Sequence, residues 1–132
     1  MIRKVLVIDD EPHIRKSLAQ LLHLRYKVTV DTAQSLSEAR NYLLEERYDM
    51  LLVDYNLTDG TGAALISSLS HELPWLLEAK IIFLSGIPYV ELIPEMKQCF
   101  QDFKDIQLRN KPIKASALYQ ESDSLLELKS AS

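Results

Sequence analysis

The sequence predicts an α/β fold: a doubly wound, five-stranded parallel sheet in the order 2-1-3-4-5, with helices on both faces. Three observations point to it. Val5-Leu6-Val7-Ile8, Met50-Leu51-Leu52-Val53 and Ile81-Ile82-Phe83-Leu84 are apolar without interruption, as strands buried on both faces are. Segments of helical spacing alternate with these runs, which is the pattern of a parallel sheet wrapped by helices. The chain has 132 residues, 47% hydrophobic and 26% charged. That suffices for one core burying roughly two-thirds of the unfolded chain's surface, and is too short for two ordinary domains.

The elements follow in order. The first strand ends in Asp9-Asp10. Pro12 suits the first turn of a helix whose Ile14, Leu18, Leu21 and Leu22 share one face. Val28-Thr29-Val30 alternates, as a strand with one wet side or at an edge does. Leu36, Ala39 and Leu43 form a second helical stripe, with Ser35 or Ser37 as the cap. The third strand ends in Asp54, and Leu65, Ile66 and Leu69 mark the next helix. Residues 71–79, with Pro74 and Trp75, are long for a connection, and an extra turn packing Trp75, Leu76 and Leu77 is expected there. The fourth strand ends in Ser85-Gly86. Residues 87–104 hold Pro88 and Pro94. Pro94 inside an unbroken helix would remove a hydrogen bond and clash, so the fourth helix is expected to be kinked or to start near Pro94. Ile106-Gln107-Leu108 gives the fifth strand. Ala115, Leu118, Leu125 and Leu126 give a last helix that closes a single domain over residues 1–128, with 129–132 as a frayed tail and no output domain after it.

The most apolar strands are the first, third and fourth, so the second and fifth belong at the edges. The order 2-1-3-4-5 meets that condition with right-handed crossovers. It makes strands 1 and 3 neighbours where the winding reverses, and ligands of such sheets sit beyond the strands' carboxyl ends at that point.

Those ends carry Asp9, Asp10 and Asp54. Like-charged carboxylates at ~4 Å and an effective dielectric near 20 repel by about 4 kcal/mol per pair, and a divalent cation removes that cost. Hard oxygen donors without His or Cys favour Mg2+. Asp9-Asp10 alone would read as a solvated loop and capping pair; a third Asp on the adjacent strand favours a metal site. Lys111-Pro112 follows strand 5. By itself it is a surface lysine before a turn proline; beside the carboxylates it is a point charge for a phosphoryl group. Ser85 is either a turn residue or a hydroxyl donor aimed at an anion.

A net charge of −4 argues against a general nucleic-acid or anionic-membrane binder. Cys99 is the sole cysteine, so no internal disulfide forms. With no signal-like segment at the start, a cytoplasmic protein is expected. No apolar run approaches the ~20 residues of a membrane helix.

Four motifs together resemble the receiver domain of two-component response regulators, the fold of the chemotaxis protein CheY. They are Val5-Leu6-Val7-Ile8-Asp9-Asp10-Glu11; Leu52-Val53-Asp54-Tyr55-Asn56-Leu57-Thr58-Asp59-Gly60-Thr61-Gly62; Phe83-Leu84-Ser85-Gly86; and Lys111-Pro112. The likeness covers nearly the whole chain, and the spacing from Asp10 to Asp54 and on to Ser85 is usual for the family. It implies that Asp54 accepts a phosphoryl group from the phosphohistidine of a histidine kinase or histidine phosphotransfer protein. It implies Mg2+ held by Asp10, Asp54 and the backbone carbonyl of Asn56, with Asp9 acting mainly through a metal-bound water. Lys111 and the Gly86 N–H would contact phosphoryl oxygens, Ser85 would move inward to another, and Pro112 would follow a cis peptide bond. Phosphorylation would then bias the face built from strands 4 and 5 and their helices, and a downstream output protein would read it.

Two departures stand out. Leu108 occupies the position, three before the lysine, where many receivers place Tyr or Phe; it is expected to pack as a strand residue, with Tyr89 or Phe83 as substitute aromatics. The interval from Ser85 to Lys111 is a few residues longer than usual, so a partner or homodimer contact through a different surface stays open. Phe100 and Phe103 are expected in the core, with partner anchoring as the alternative. Three other functions compete: a phosphorylation-independent interaction module on the same fold, a receiver fragment of a hybrid kinase, and a flavodoxin-like small-molecule binder. The last lacks a phosphate-cradling loop after strand 1. An aspartyl phosphohydrolase is disfavoured because Asn56, two residues after Asp54, is not an acid.

Overall fold

The computed structural model describes residues 2–87 and 91–130. Its elements are β1 (Arg3–Ile8), α1 (Pro12–Arg25), β2 (Tyr26–Ala33), α2 (Leu36–Glu45), β3 (Met50–Asp54), β4 (Asn56–Leu57), β5 (Gly60–Thr61), α3 (Gly62–Leu69), a 3-10 turn (Pro74–Leu77), β6 (Lys80–Ser85), α4 (Ile93–Cys99), β7 (Asp105–Asn110), α5 (Ala115–Ser122) and β8 (Glu127–Leu128). The main sheet runs β7-β6-β3-β1-β2-β8. Its first five members are parallel and follow the expected winding, with β6 and β7 as the fourth and fifth predicted strands.

Alternate residues of the apolar strands feed two cores, the consequence of a period of two. Val5, Val7, Leu52, Ile82 and Leu84 pack with Leu18 and Leu22 of α1 and Leu118 of α5. Leu6, Ile8, Leu51, Val53, Ile81 and Phe83 pack with helices α2, α3 and α4 on the other face. Ser35, not Ser37, caps α2, its side chain accepting from the Glu38 N–H at 3.1 Å. The extra turn forms at Pro74–Leu77 and buries Leu76. α4 starts at Ile93 with Pro94 in its first turn, where the missing N–H costs nothing. Phe100 is buried, and Phe103 packs against the same core. Pro88 and Tyr89 lie outside the described residues.

The C-terminal part differs from expectation. α5 stops at Ser122, and Leu125 and Leu126 fall after it, although their spacing from Leu118 matches a helix. The Ser122 hydroxyl donates to the Leu118 carbonyl at 2.7 Å, and the run Ser122-Asp123-Ser124 offers side chains that compete with backbone bonding. β8 then adds a sixth, antiparallel strand on Tyr26 and Lys27, so β2 is not a bare edge there. Lys129, expected in the tail, donates its N–H to the Arg25 carbonyl at 2.9 Å. Arg25 grips Asp123 through two 2.8 Å hydrogen bonds, and the Tyr26 hydroxyl donates to the same carboxylate at 2.6 Å.

These bonds hold the Asp123 carboxyl at about 2, below the ordinary value of about 3.9. A depressed carboxylate contributes stability that is complete above its unfolded pKa and lost as pH falls through the folded one. The Lys129 amide is therefore expected to lose hydrogen-exchange protection between about pH 4 and pH 2. Asp123→Asn should expose it already at neutral pH and flatten that dependence. A variant with a fully protected Lys129 amide would show that the clip does not hold β8.

Candidate functional site

β1 and β3 are parallel neighbours. The chain leaves β1 for α1 on one face and β3 for α3 on the other, so a crevice opens beyond their carboxyl ends. Asp9 and Asp10 begin the loop after β1, and Asp54 is the last residue of β3. One carboxylate oxygen from each lies within 4.8 Å of the others. Asp9 is 1% exposed and Asp54 6%.

Local bonds fix these groups. The Asp9 N–H donates to the Ala33 carbonyl at 3.0 Å, continuing the ladder of β1 with β2. Asp9 Oδ1 accepts from the Glu11 N–H at 2.9 Å, and Arg15 Nη1 donates to the Asp9 carbonyl at 2.8 Å. Asp54 Oδ1 accepts from the Asn56 N–H at 3.3 Å. Lys111 reaches in from the loop after β7, with Nζ 2.9 Å from Asp9 Oδ2, 3.0 Å from Asp54 Oδ2 and 3.5 Å from Glu11 Oε2. Its backbone N–H donates to the Ser85 carbonyl at 2.8 Å, tying that loop to the end of β6. The Lys111-Pro112 peptide bond is cis.

Burial pushes the Asp54 carboxyl above the ordinary carboxylate range; Lys111 opposes this and the Asp9 charge adds to it. Burial also pulls on Lys111, but Asp9 and Asp54 outweigh it and hold the ammonium above its usual value. One cation thus faces three carboxylates. Asp9 Oδ2 is fully buried and has the Lys111 ammonium, 2.9 Å away, as its compensation. Three hard carboxylate oxygens this close, shared with one ammonium, fit a small divalent cation.

Asp10, Asp54, Asn56, Gly86, Lys111 and Pro112 line an open cleft of about 730 Å³. Ser85 is buried beside it, with its hydroxyl accepting from the Ile87 N–H at 3.2 Å. A larger depression of about 890 Å³ lies at the opposite end of the strands. Many of its charges are paired with one another, as in Arg3–Asp49 at 3.1 Å and Lys80–Asp105 at 3.0 Å.

The structure brings Asp9, Asp10, Asp54, Asn56, Gly86 and Lys111 to one place. Leu108 is half-buried in β7, in register with Phe83, and packs on the core. Two residues of the quoted motifs gain contacts in the structure. Glu11, the acid after Asp10, adds a fourth negative charge 3.5 Å from Lys111 Nζ. Tyr55 follows Asp54 and is 4% exposed; its ring edge meets Phe83 and its hydroxyl donates to Glu95 of α4.

Gly62 opens α3 directly behind Asp54, and its N–H donates to the Tyr55 carbonyl at 2.9 Å. A Cβ there would press on Val53 and lie 2.6 Å from the Asp54 carbonyl oxygen. Gly62→Ala is expected to cost about 1–3 kcal/mol in urea unfolding. Unchanged stability would mean that β3 yields freely at this point.

A parallel sheet with three acids and a lysine over its winding reversal defines an α/β domain with an acidic pocket at its switch point. Comparison with known proteins agrees. The family described as the response regulator receiver domain matches residues 5–121, and the chain belongs to it. Among relatives, the response regulator protein PilR of Pseudomonas aeruginosa is 38% identical over 72 residues, covering 54% of this chain and 16% of its own length. The sensory transduction protein LytT of Enterococcus faecalis is 37% identical over 78 residues, 57% of this chain and 32% of its own length. The chain therefore spans less than a third of each of these relatives. Among solved structures, a CheY-like receiver domain protein from Methanospirillum hungatei superimposes with a TM-score of 0.79 at 21% identity, covering 94% of this chain and 93% of that one. Chemotaxis protein CheY4 of Vibrio cholerae gives 0.78 at 23% identity, covering 96% and 100%. These structures share the fold. Among the described residues, no helix is long and apolar enough to cross a membrane.

Proposed function

We propose that the chain accepts a phosphoryl group on Asp54 from the phosphohistidine of a histidine kinase or histidine phosphotransfer protein, and that the modified pocket alters a face bound by an output protein. The observation that supports this most is the cluster of Asp9, Asp10 and Asp54, whose carboxylate oxygens lie within 4.8 Å of one another with Lys111 as the cation beside Asp9 and Asp54.

Asp54 needs positioning more than activation, because a carboxylate is already a nucleophile once ionised. Its oxygen forms the new bond to phosphorus as the bond from phosphorus to the imidazole nitrogen breaks, and the donor histidine keeps that electron pair. The Lys111 ammonium, 3.0 Å from Asp54 Oδ2, is placed to pair with the oxygens that arrive. The Ser85 hydroxyl gives up its contact with Ile87 to bond one of them, and the Gly86 N–H serves another. Asp10, Asp54 and the Asn56 carbonyl would hold Mg2+, with Asp9 acting through a water. When bound, the ion neutralises the pocket and the charge that develops on the transferred group. The chain is then a phosphoacceptor that catalyses its own modification and hydrolysis, not an enzyme acting on an outside substrate.

Intact-mass measurement after incubation with acetyl phosphate tests this. One phosphoryl group per chain is expected with Mg2+ and none with chelator. A chain that stays unmodified where another receiver is labelled would favour the phosphorylation-independent module.

A further inference from the structure

One hydrogen bond ties α4 itself to the residue after Asp54, and a second holds the chain just after β6. The first comes from Tyr55, the residue after Asp54. Its backbone is pinned on both sides: its N–H donates to the Leu84 carbonyl at 2.8 Å, and its carbonyl accepts from the Gly62 N–H at 2.9 Å. From this fixed base the buried ring lies edge-on against Phe83, and the hydroxyl donates to the Glu95 carboxylate in the first turn of α4. Burial and that carboxylate keep the hydroxyl protonated far above neutral pH. The second tie is the Ser85 hydroxyl, which accepts from the Ile87 N–H at 3.2 Å at the start of the connection to α4.

α4 is seven residues long, and it is anchored by Met96 within it and by the buried Leu92 and Phe100 that cap its two ends. A charge-assisted hydrogen bond adds a directional polar contact to that apolar packing. Leu108, packed among core side chains, has no polar tip to carry a signal. The polar connection runs through Tyr55 instead.

Resting on the phosphoacceptor reading above, we infer that Tyr55 is a positioning residue: its hydroxyl, bonded to Glu95, holds α4 in the unphosphorylated arrangement and lets go when Asp54 is modified. The order of events follows from the contacts. A phosphoryl group at Asp54 draws the Ser85 hydroxyl, and the Ile87 N–H loses its acceptor. The Tyr55–Glu95 bond then breaks, and α4 takes its second position. An element held in one of two arrangements by a few local bonds is a common form of switch.

Hydrogen exchange of the α4 amides in the full chain tests this, with and without acetyl phosphate and Mg2+, and with intact mass read in parallel. In the unphosphorylated protein, Tyr55→Phe keeps the ring and should speed α4 exchange about tenfold, a change that one charge-assisted hydrogen bond sustains. Glu95→Gln keeps an acceptor but loses the charge, and should fall between wild type and Tyr55→Phe. In the phosphorylated protein, wild type and Tyr55→Phe should exchange alike, because the bond is already gone. A Tyr55→Phe difference of equal size in both states would make the bond merely structural and overturn the inference. So would unchanged exchange at rest. If mass shows that wild type takes no phosphoryl group, the phosphoacceptor reading itself falls, and this coupling falls with it.

Discussion

Asp54→Asn is expected to lose phosphoryl uptake completely, from one group per chain to none, while becoming more stable than wild type in chelator. The first effect removes the nucleophile. The second follows from the pocket's electrostatics. Burial holds the Asp54 carboxyl above its ordinary range, so the folded protein is penalised for the charge. A group with a raised folded pKa contributes stability at low pH that is lost as pH rises through that pKa. At neutral pH wild type bears the penalty and the near-isosteric amide does not. Mg2+ should narrow or reverse the difference, because it stabilises whichever form binds it. Thermal unfolding of both proteins, with chelator and then with Mg2+, checks the sign. A less stable variant in chelator would mean that the ion pair with Lys111 outweighs burial and the Asp9 charge.

Lys111→Ala should show the opposite stability effect. The ammonium is 2.9 Å from Asp9 Oδ2 and 3.0 Å from Asp54 Oδ2, with the lysine side chain 16% exposed. Taking away one partner of a largely buried pair costs about 3–5 kcal/mol, and here it leaves two carboxylates without a cation. Mg2+ at a hundred times its Kd should recover about 2.7 kcal/mol in the variant. Phosphoryl uptake is expected to persist, since Asp54 remains. The conformational response should weaken, because the ammonium placed to pair with the arriving phosphoryl oxygens beside Asp54 is gone. Chemical denaturation with and without Mg2+ measures the first effect, and amide shifts on phosphorylation measure the second. Full-size shifts in the variant would contradict the role given to Lys111.

The winding and the pocket were legible in the sequence because both rest on strong local signals. Strands β1, β3 and β6 are buried on both faces, so every residue in their central runs must be apolar. An acid at the end of such a run is conspicuous, and strand order alone brings Asp9, Asp10 and Asp54 together. The end of the chain was less legible. Leu118, Leu125 and Leu126 repeat at helical spacing, yet the helix stops at Ser122 and Leu126 is buried from beyond it. β8 is two residues, Glu127 and Leu128, without strand periodicity. It exists because Arg25, Tyr26 and Asp123 meet across almost the whole chain. The Tyr55–Glu95 bond spans 40 residues, and an exposed Glu in a short helix gives no sign of it. Side-chain bonds between distant segments are set by the finished fold, and periodicity does not report them.

The most direct measurement is to locate the phosphoryl group. After labelling with acetyl phosphate and Mg2+, the acyl phosphate is reduced with borohydride and the chain is digested and sequenced by mass spectrometry. The expected result is a single modified residue, Asp54, which disappears when Mg2+ is chelated. Modification at Asp9, Asp10 or Glu11, or labelling indifferent to Mg2+, would contradict the shared-cation pocket on which the proposed phosphotransfer depends.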